Sequence, residues 1–105
     1  MPRTIGILLF DGAEEMDFVG PWEVFTAALS GMPDDRVVTI AERTRPITCE
    51  KGLRVVPDLV YGEAPEFDVV LVPGASALGE RLETRRQQTG FAMRRIKFGS
   101  RLLRS

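Results

Sequence analysis

One thiol, Cys49, and no histidine anywhere in 105 residues set narrow limits on covalent chemistry. A serine or cysteine nucleophile usually passes its proton to a histidine, so neither a Ser-His nor a Cys-His pair can be assembled from this chain alone. The common zinc ligand sets are excluded on the same grounds, and a lone cysteine closes no internal disulfide. The remaining candidates are acids and backbone. Asp11, Glu14, Glu15 and Asp17 crowd into the short stretch between positions 11 and 17, and Pro73-Gly74 ends an apolar run. A Pro-Gly pair bends the chain, and open parallel sheets bind ligands at the edge where such bends occur. Residues 74–79 are not a phosphate loop, because the Gly-Lys-Ser/Thr ending is missing.

Each of these residues also has a plain structural reading. An acid such as Asp17 in the first turn of a helix complements the helix dipole by about 0.3–1 kcal/mol. Glu14 and Glu15 read as a solvated loop, and Trp22 and Phe25 at helical spacing read as core residues. Cys49 reads as a small buried side chain, since nothing in the sequence places a cation beside it.

The elements that must position these residues follow from apolar patterning. Residues 4–10 form a continuous apolar run closed by Asp11-Gly12, the pattern of a strand buried on both faces and stopped by a turn. Phe18, Trp22, Phe25 and Leu29 then recur at three- to four-residue spacing, with Pro21 read near the helix start and Gly31 just past its end. Residues 36–42 are a second strand, parallel to the first because a crossover helix joins them. Two short extended pieces, 47–49 and 53–56, flank a turn at 50–52 and suggest a hairpin insert. Residues 67–72 form a further buried strand. This order implies an α/β fold with a doubly wound, mainly parallel sheet.

Composition fits one soluble globular domain, with 44% hydrophobic and 28% charged residues. No apolar run approaches the roughly 20 residues of a membrane span, and the first residues do not resemble a secretion signal. A cytoplasmic protein with no cofactor and no membrane contact is therefore expected. The net charge of −1 conceals a reversal near Glu83: seven basic residues face fifteen acidic ones up to that point, and seven face none beyond it. The chain accordingly reads as 1–83 followed by a basic tail, 84–105. Phe91, Phe98 and Leu102 fall on one side of a helical projection and Met93, Ile96 and Leu103 on another, so no single helical face emerges. The basic residues would attract phosphates, but composition alone carries little weight without a scaffold.

Three segments, Gly12-Ala13-Glu14-Glu15-Met16-Asp17, Gly20-Pro21-Trp22-Glu23-Val24-Phe25 and Asp68-Val69-Val70-Leu71-Val72-Pro73-Gly74, together resemble the ThiJ/PfpI family of the class I glutamine amidotransferase-like superfamily. The stretch 17–21 is most similar to the isonitrile hydratase branch and to ligand-sensing domains of DNA-binding regulators. The stretch 12–17 also resembles the Parkinson-disease deglycase branch. The resemblance covers the N-terminal part, 1–83, and implies a flavodoxin-like fold, usually dimeric, here incomplete relative to the full family domain.

The resemblance further implies a cysteine at a strand-to-helix elbow, an acid from the first βα loop and an oxyanion turn. Asp17 matches the acid, able to donate a hydrogen bond to a thiolate and relay a proton. Gly74 matches the oxyanion turn, whose backbone amide faces developing negative charge. Ala75 stands where the family carries a second glycine and resists positive φ. The cysteine elbow itself does not appear between Phe91 and Ser105, and Cys49 lies in the hairpin region, away from the strand ends that face Asp17.

The expected function is thus that of a protein related to cysteine-dependent hydrolases or lyases such as isonitrile hydratase, lacking the nucleophile and inactive. The alternative is a non-catalytic ligand-sensing or dimerisation domain of a DNA-binding transcriptional regulator. Expected partners are a small-molecule ligand or substrate and a second copy of the chain, with nucleic acid reached only through a domain encoded further downstream. The basic tail is expected to be out-of-frame or otherwise unrelated sequence.

Overall fold

The computed structural model describes residues 3–74 and the backbone of 98–104. Among these residues five strands form one sheet in which every neighbouring pair is parallel. Strand β1 (Thr4–Leu8) is central, flanked by β2 (Arg36–Ala41) and β6 (Phe67–Val72). Helix α1 (Glu15–Ala28) makes the crossover from β1 to β2, and the short strands β3 (Ile47–Thr48) and β4 (Arg54–Val55) pair as an antiparallel hairpin. The flavodoxin-like α/β reading holds.

Side chains alternate across the sheet with the two-residue period of extended chain. Ile7, Leu9 and Leu71 join Ala13, Phe18, Ala41, Ile47 and Cys49 in the cluster on the helix side. Leu8, Val38, Ile40, Val70 and Val72 form the opposite cluster with Tyr61 and Phe67. Burial on both faces explains why β1 and β6 read as unbroken apolar runs. Gly6 is required where it stands, because a Cβ there would lie 2.8 Å from the ring of Phe67, which is fully buried.

Several local expectations change. Pro21 lies inside α1, not near its start, so the helix forgoes the bond that residue 21 would donate to the Asp17 carbonyl. The start falls at Glu15 because Glu15 and Asp17 place negative charge at the positive end of the helix dipole. Phe18 is the one α1 residue that is fully buried, while Trp22 is 40% exposed and Phe25 half-buried, so these two are not the core residues that their spacing suggests. Phe18 carries the helix's packing into the core, while Val19, Trp22 and Val24 stay exposed.

Two elements have no counterpart in the sequence pattern. Strand β5 (Leu59–Val60) adds to the free edge of β2 and leads into a 3-10 turn at Tyr61–Glu63. Strand β7 (Phe98–Arg104) pairs with β6 from within the basic segment, so this part of the segment shares the sheet of the acidic half. Of the residues projected onto a helix, Phe98, Leu102 and Leu103 lie in this extended strand, and Phe91, Met93 and Ile96 lie outside the described residues. No helix among the described residues is long and apolar enough to cross a membrane.

Candidate functional site

Because β1 and β6 are parallel neighbours, the loop after β1 and the turn after β6 leave the sheet at the same carboxyl edge. There the Gly74 N–H donates to Oδ2 of Asp17 at 2.9 Å, and the Glu14 N–H donates to the Gly74 carbonyl, also at 2.9 Å. Two residues far apart in sequence are thereby locked together, both of them half-buried. Asp17 and Gly74 are thus brought into one site. The Gly74 N–H, expected to face developing charge, is donated in this structure to the carboxyl group of Asp17. Ala75 lies outside the described residues.

The β3–β4 hairpin is fastened to the same loop. Gly12 N–H donates to the Thr48 carbonyl at 2.7 Å, Glu50 N–H to the Ala13 carbonyl at 2.9 Å, and Thr48 N–H to Asp11 Oδ1 at 3.0 Å. Glu15 Oε2 accepts from the backbone N–H of Lys51 at 2.9 Å and of Leu53 at 3.3 Å, and the Lys51 ammonium pairs with Glu14 at 2.5 Å. Glu14 and Glu15 are therefore engaged anchors, not the solvated loop that composition suggests. Desolvation pushes the Glu15 carboxyl up, but the backbone N–H groups of Glu15, Leu53 and Lys51, with the Lys51 ammonium, outweigh it and hold the group below its usual range. The same contacts with Glu14 raise Lys51.

Cys49 is 3% exposed and packs within the helix-side cluster. Burial pushes its thiol up to about 11, and the carboxylates of Glu15, Asp11 and Glu14 push in the same direction. A thiol in this setting is protonated at neutral pH and is a poor nucleophile. The acids that surround it act against reactivity.

Cavities formed by the described residues lie on both sides of the β3–β4 hairpin. One of about 80 Å³ sits at the carboxyl ends of β1 and β2 between Asp11, Glu42, Arg43, Arg45 and Tyr61. The other, about 270 Å³, is an apolar groove along α1 lined by Phe18, Val19, Trp22, Val55 and Val56. No group of three or more metal-binding side chains is assembled among the described residues.

The profile of the DJ-1/PfpI family matches residues 3–102. The chain belongs to the DJ-1/PfpI family. An isonitrile hydratase of Pseudomonas putida is 32% identical over 83 residues, which are 79% of this chain and 35% of that enzyme. A crystal structure of a ThiJ/PfpI family protein from Pseudomonas syringae superposes with a TM-score of 0.63 at 30% identity, covering 71% of this chain and 30% of that one. A Vibrio parahaemolyticus protein described as a regulator of transcription superposes with a TM-score of 0.71 over 99% of this chain and 56% of that one, at 14% identity, which speaks for the fold alone. The chain spans about a third of the length of the isonitrile hydratase that it matches.

In this DJ-1/PfpI chain Asp17 and Gly74, singled out from the sequence, meet at the carboxyl edge, whereas the anchoring by Glu14 and Glu15 was not legible. Their partners lie on the hairpin more than thirty positions away, and no local pattern encodes that docking. The one available signal was the concentration of four acids at the start of a helix, in a chain whose later turn carries Lys51.

Proposed function

We propose that this chain supplies the acid and the backbone turn of a thiol-dependent site of the hydrolase or lyase type, and that it turns over no substrate by itself. The reading is carried by the bond from the Gly74 N–H to Asp17 at the carboxyl edge of two adjacent strands. The chemistry in the related isonitrile hydratase class would be thiolate attack on a small electrophilic carbon. Asp17 would then relay the proton, with the turn holding it in one orientation. The single thiol of these 105 residues, buried and pushed up to about 11, is unsuited to that attack.

The test has two arms. The 105-residue chain is incubated with a simple isonitrile, and with a glycated amine for the deglycase reading, and product is followed by chromatography. No product above buffer is expected, and turnover abolished by Cys49→Ser would overturn the reading. In the second arm, residues 1–74 replace the matched stretch of the Pseudomonas putida isonitrile hydratase. Activity there should fall at least about a hundredfold on Asp17→Ala, in the range typical of a lost general acid; an unchanged rate would remove Asp17 from the chemistry.

A second reading rests on the same observation that the edge is retained while no competent thiol accompanies it. The carboxyl edge then binds a small molecule without turnover, as a sensing or dimerisation module does. Saturable heat of binding for an isonitrile, with no product formed, would favour it. Under either reading the chain is placed in the cytoplasm and pairs with a second copy of itself, and the groove along α1 is the surface offered for that pairing.

A further inference from the structure

The β1–α1 loop is held from two sides. On one side Glu14 N–H and Asp17 Oδ2 grip the two polar groups of Gly74. On the other the hairpin turn is gripped by the side chains of Glu14 and Glu15. Glu14 takes part in both contacts, and Glu15 opens the helix turn that carries Asp17. The hairpin and the Gly74 turn are thus mechanically joined through one short stretch of backbone.

The bonds to Glu15 stand out in kind. Its carboxylate spans the turn, accepting from the N–H of Lys51 at both oxygens, 3.2 and 2.9 Å, and from the N–H of Leu53 at 3.3 Å. Gly52, between those donors, has φ of +100°, a conformation that glycine tolerates and other residues resist. A tight turn with two N–H groups pointing outward is a small anion cradle, and here the anion is supplied in cis by Glu15. Bonds to an ionised acceptor are in general stronger than those between neutral groups.

We propose that Glu15 is a positioning residue for the Asp17–Gly74 pair, acting by fastening the β3–β4 hairpin to the first turn of α1. This rests on the reading that Asp17 and Gly74 are the acid and the turn of the site. Glu15 touches neither of them; it fixes the backbone from which both Asp17 and the Glu14 N–H project. Released from the hairpin, the loop loses its outer support, and the geometry at Gly74 loosens with it.

Amide hydrogen exchange and amide proton shifts of the full 105-residue chain test this by NMR. In Glu15→Ala the Lys51, Leu53 and Gly74 amides should each exchange about tenfold faster. The Gly74 amide proton, deshielded by its carboxylate acceptor, should move upfield. The Leu9 amide, which donates to the Ile40 carbonyl in the β1–β2 ladder, reports on the fold and should keep its protection. Glu15→Gln keeps an acceptor oxygen and should recover part of the Gly74 effect.

Unchanged Gly74 exchange and shift, with Lys51 and Leu53 freed, would overturn the proposal. Should Glu15→Ala lose Leu9 protection, the comparison moves to Glu15→Gln, where freed Lys51 and Leu53 amides beside an unchanged Gly74 amide would again overturn it. Failure of the catalytic reading shows separately, as a fully active Asp17→Ala hybrid enzyme.

Discussion

The backbone N–H of Gly74 meets Oδ2 of Asp17 at 2.9 Å across 57 positions of sequence. The contact joins the first turn of a helix to the end of a strand, and it exists because β6 lies beside β1 and runs in the same direction. A hydrogen bond to a charged group, half-buried as here, contributes about 1.5–3 kcal/mol. Asp17→Ala should lower unfolding free energy by that order in a urea titration, and Asp17→Asn by less because an acceptor oxygen remains.

Cys49 makes stability depend on alkaline pH. Its folded value of about 11 lies above that of an unfolded thiol, about 8.5. The neutral thiol therefore favours the folded state fully below about pH 8.5, and the contribution is lost as pH rises toward 11. Its full size is about 3–4 kcal/mol by the same linkage. Wild type and Cys49→Ala, unfolded side by side, should converge in relative stability along that range. Alkylation of Cys49 at pH 7.5 should be slow in the native protein and fast in urea.

Gly6 marks the closest approach of the central strand to Phe67. In Gly6→Ala a methyl group meets a ring that is fully enclosed and cannot swing into solvent. Overpacking of this kind costs about 1–3 kcal/mol. A thermal melt should show the loss, and the double variant Gly6→Ala with Phe67→Leu should recover part of it.

Trp22 is 40% exposed and Val56 65% exposed on the two sides of the groove along α1. Uncovered apolar surface of this kind drives association. Light scattering should give a mass above that of one 11.7 kDa chain, rising with concentration. Trp22→Glu should shift the population toward the monomer, and a concentration-independent monomer in the wild type would remove the groove from that role.

Much of the frame was determined by the sequence itself. The apolar runs at 4–10 and 67–72 specify strands buried on both faces, because only such strands tolerate unbroken Ile, Leu and Val. The acid and the Pro-Gly turn announced the carboxyl edge, and the motifs around them announced the family that the profile match then showed. The hairpin at 47–56 was legible from its Gly52 turn.

What tertiary structure alone decided is which of these groups meet. Residues 59–60 are too short to read as a strand and become one only because the edge of β2 offers free backbone groups to pair with. Trp22 has the spacing of a core residue and stays exposed, since burial depends on what lies opposite and not on the period of the helix itself. Glu15 looks like any loop acid until the hairpin delivers the N–H groups of Lys51 and Leu53 to it. Local pattern encodes the direction and period of the backbone; the partner of a charged or polar group is set by chain closure over tens of residues, and that information exists only once the sheet has formed.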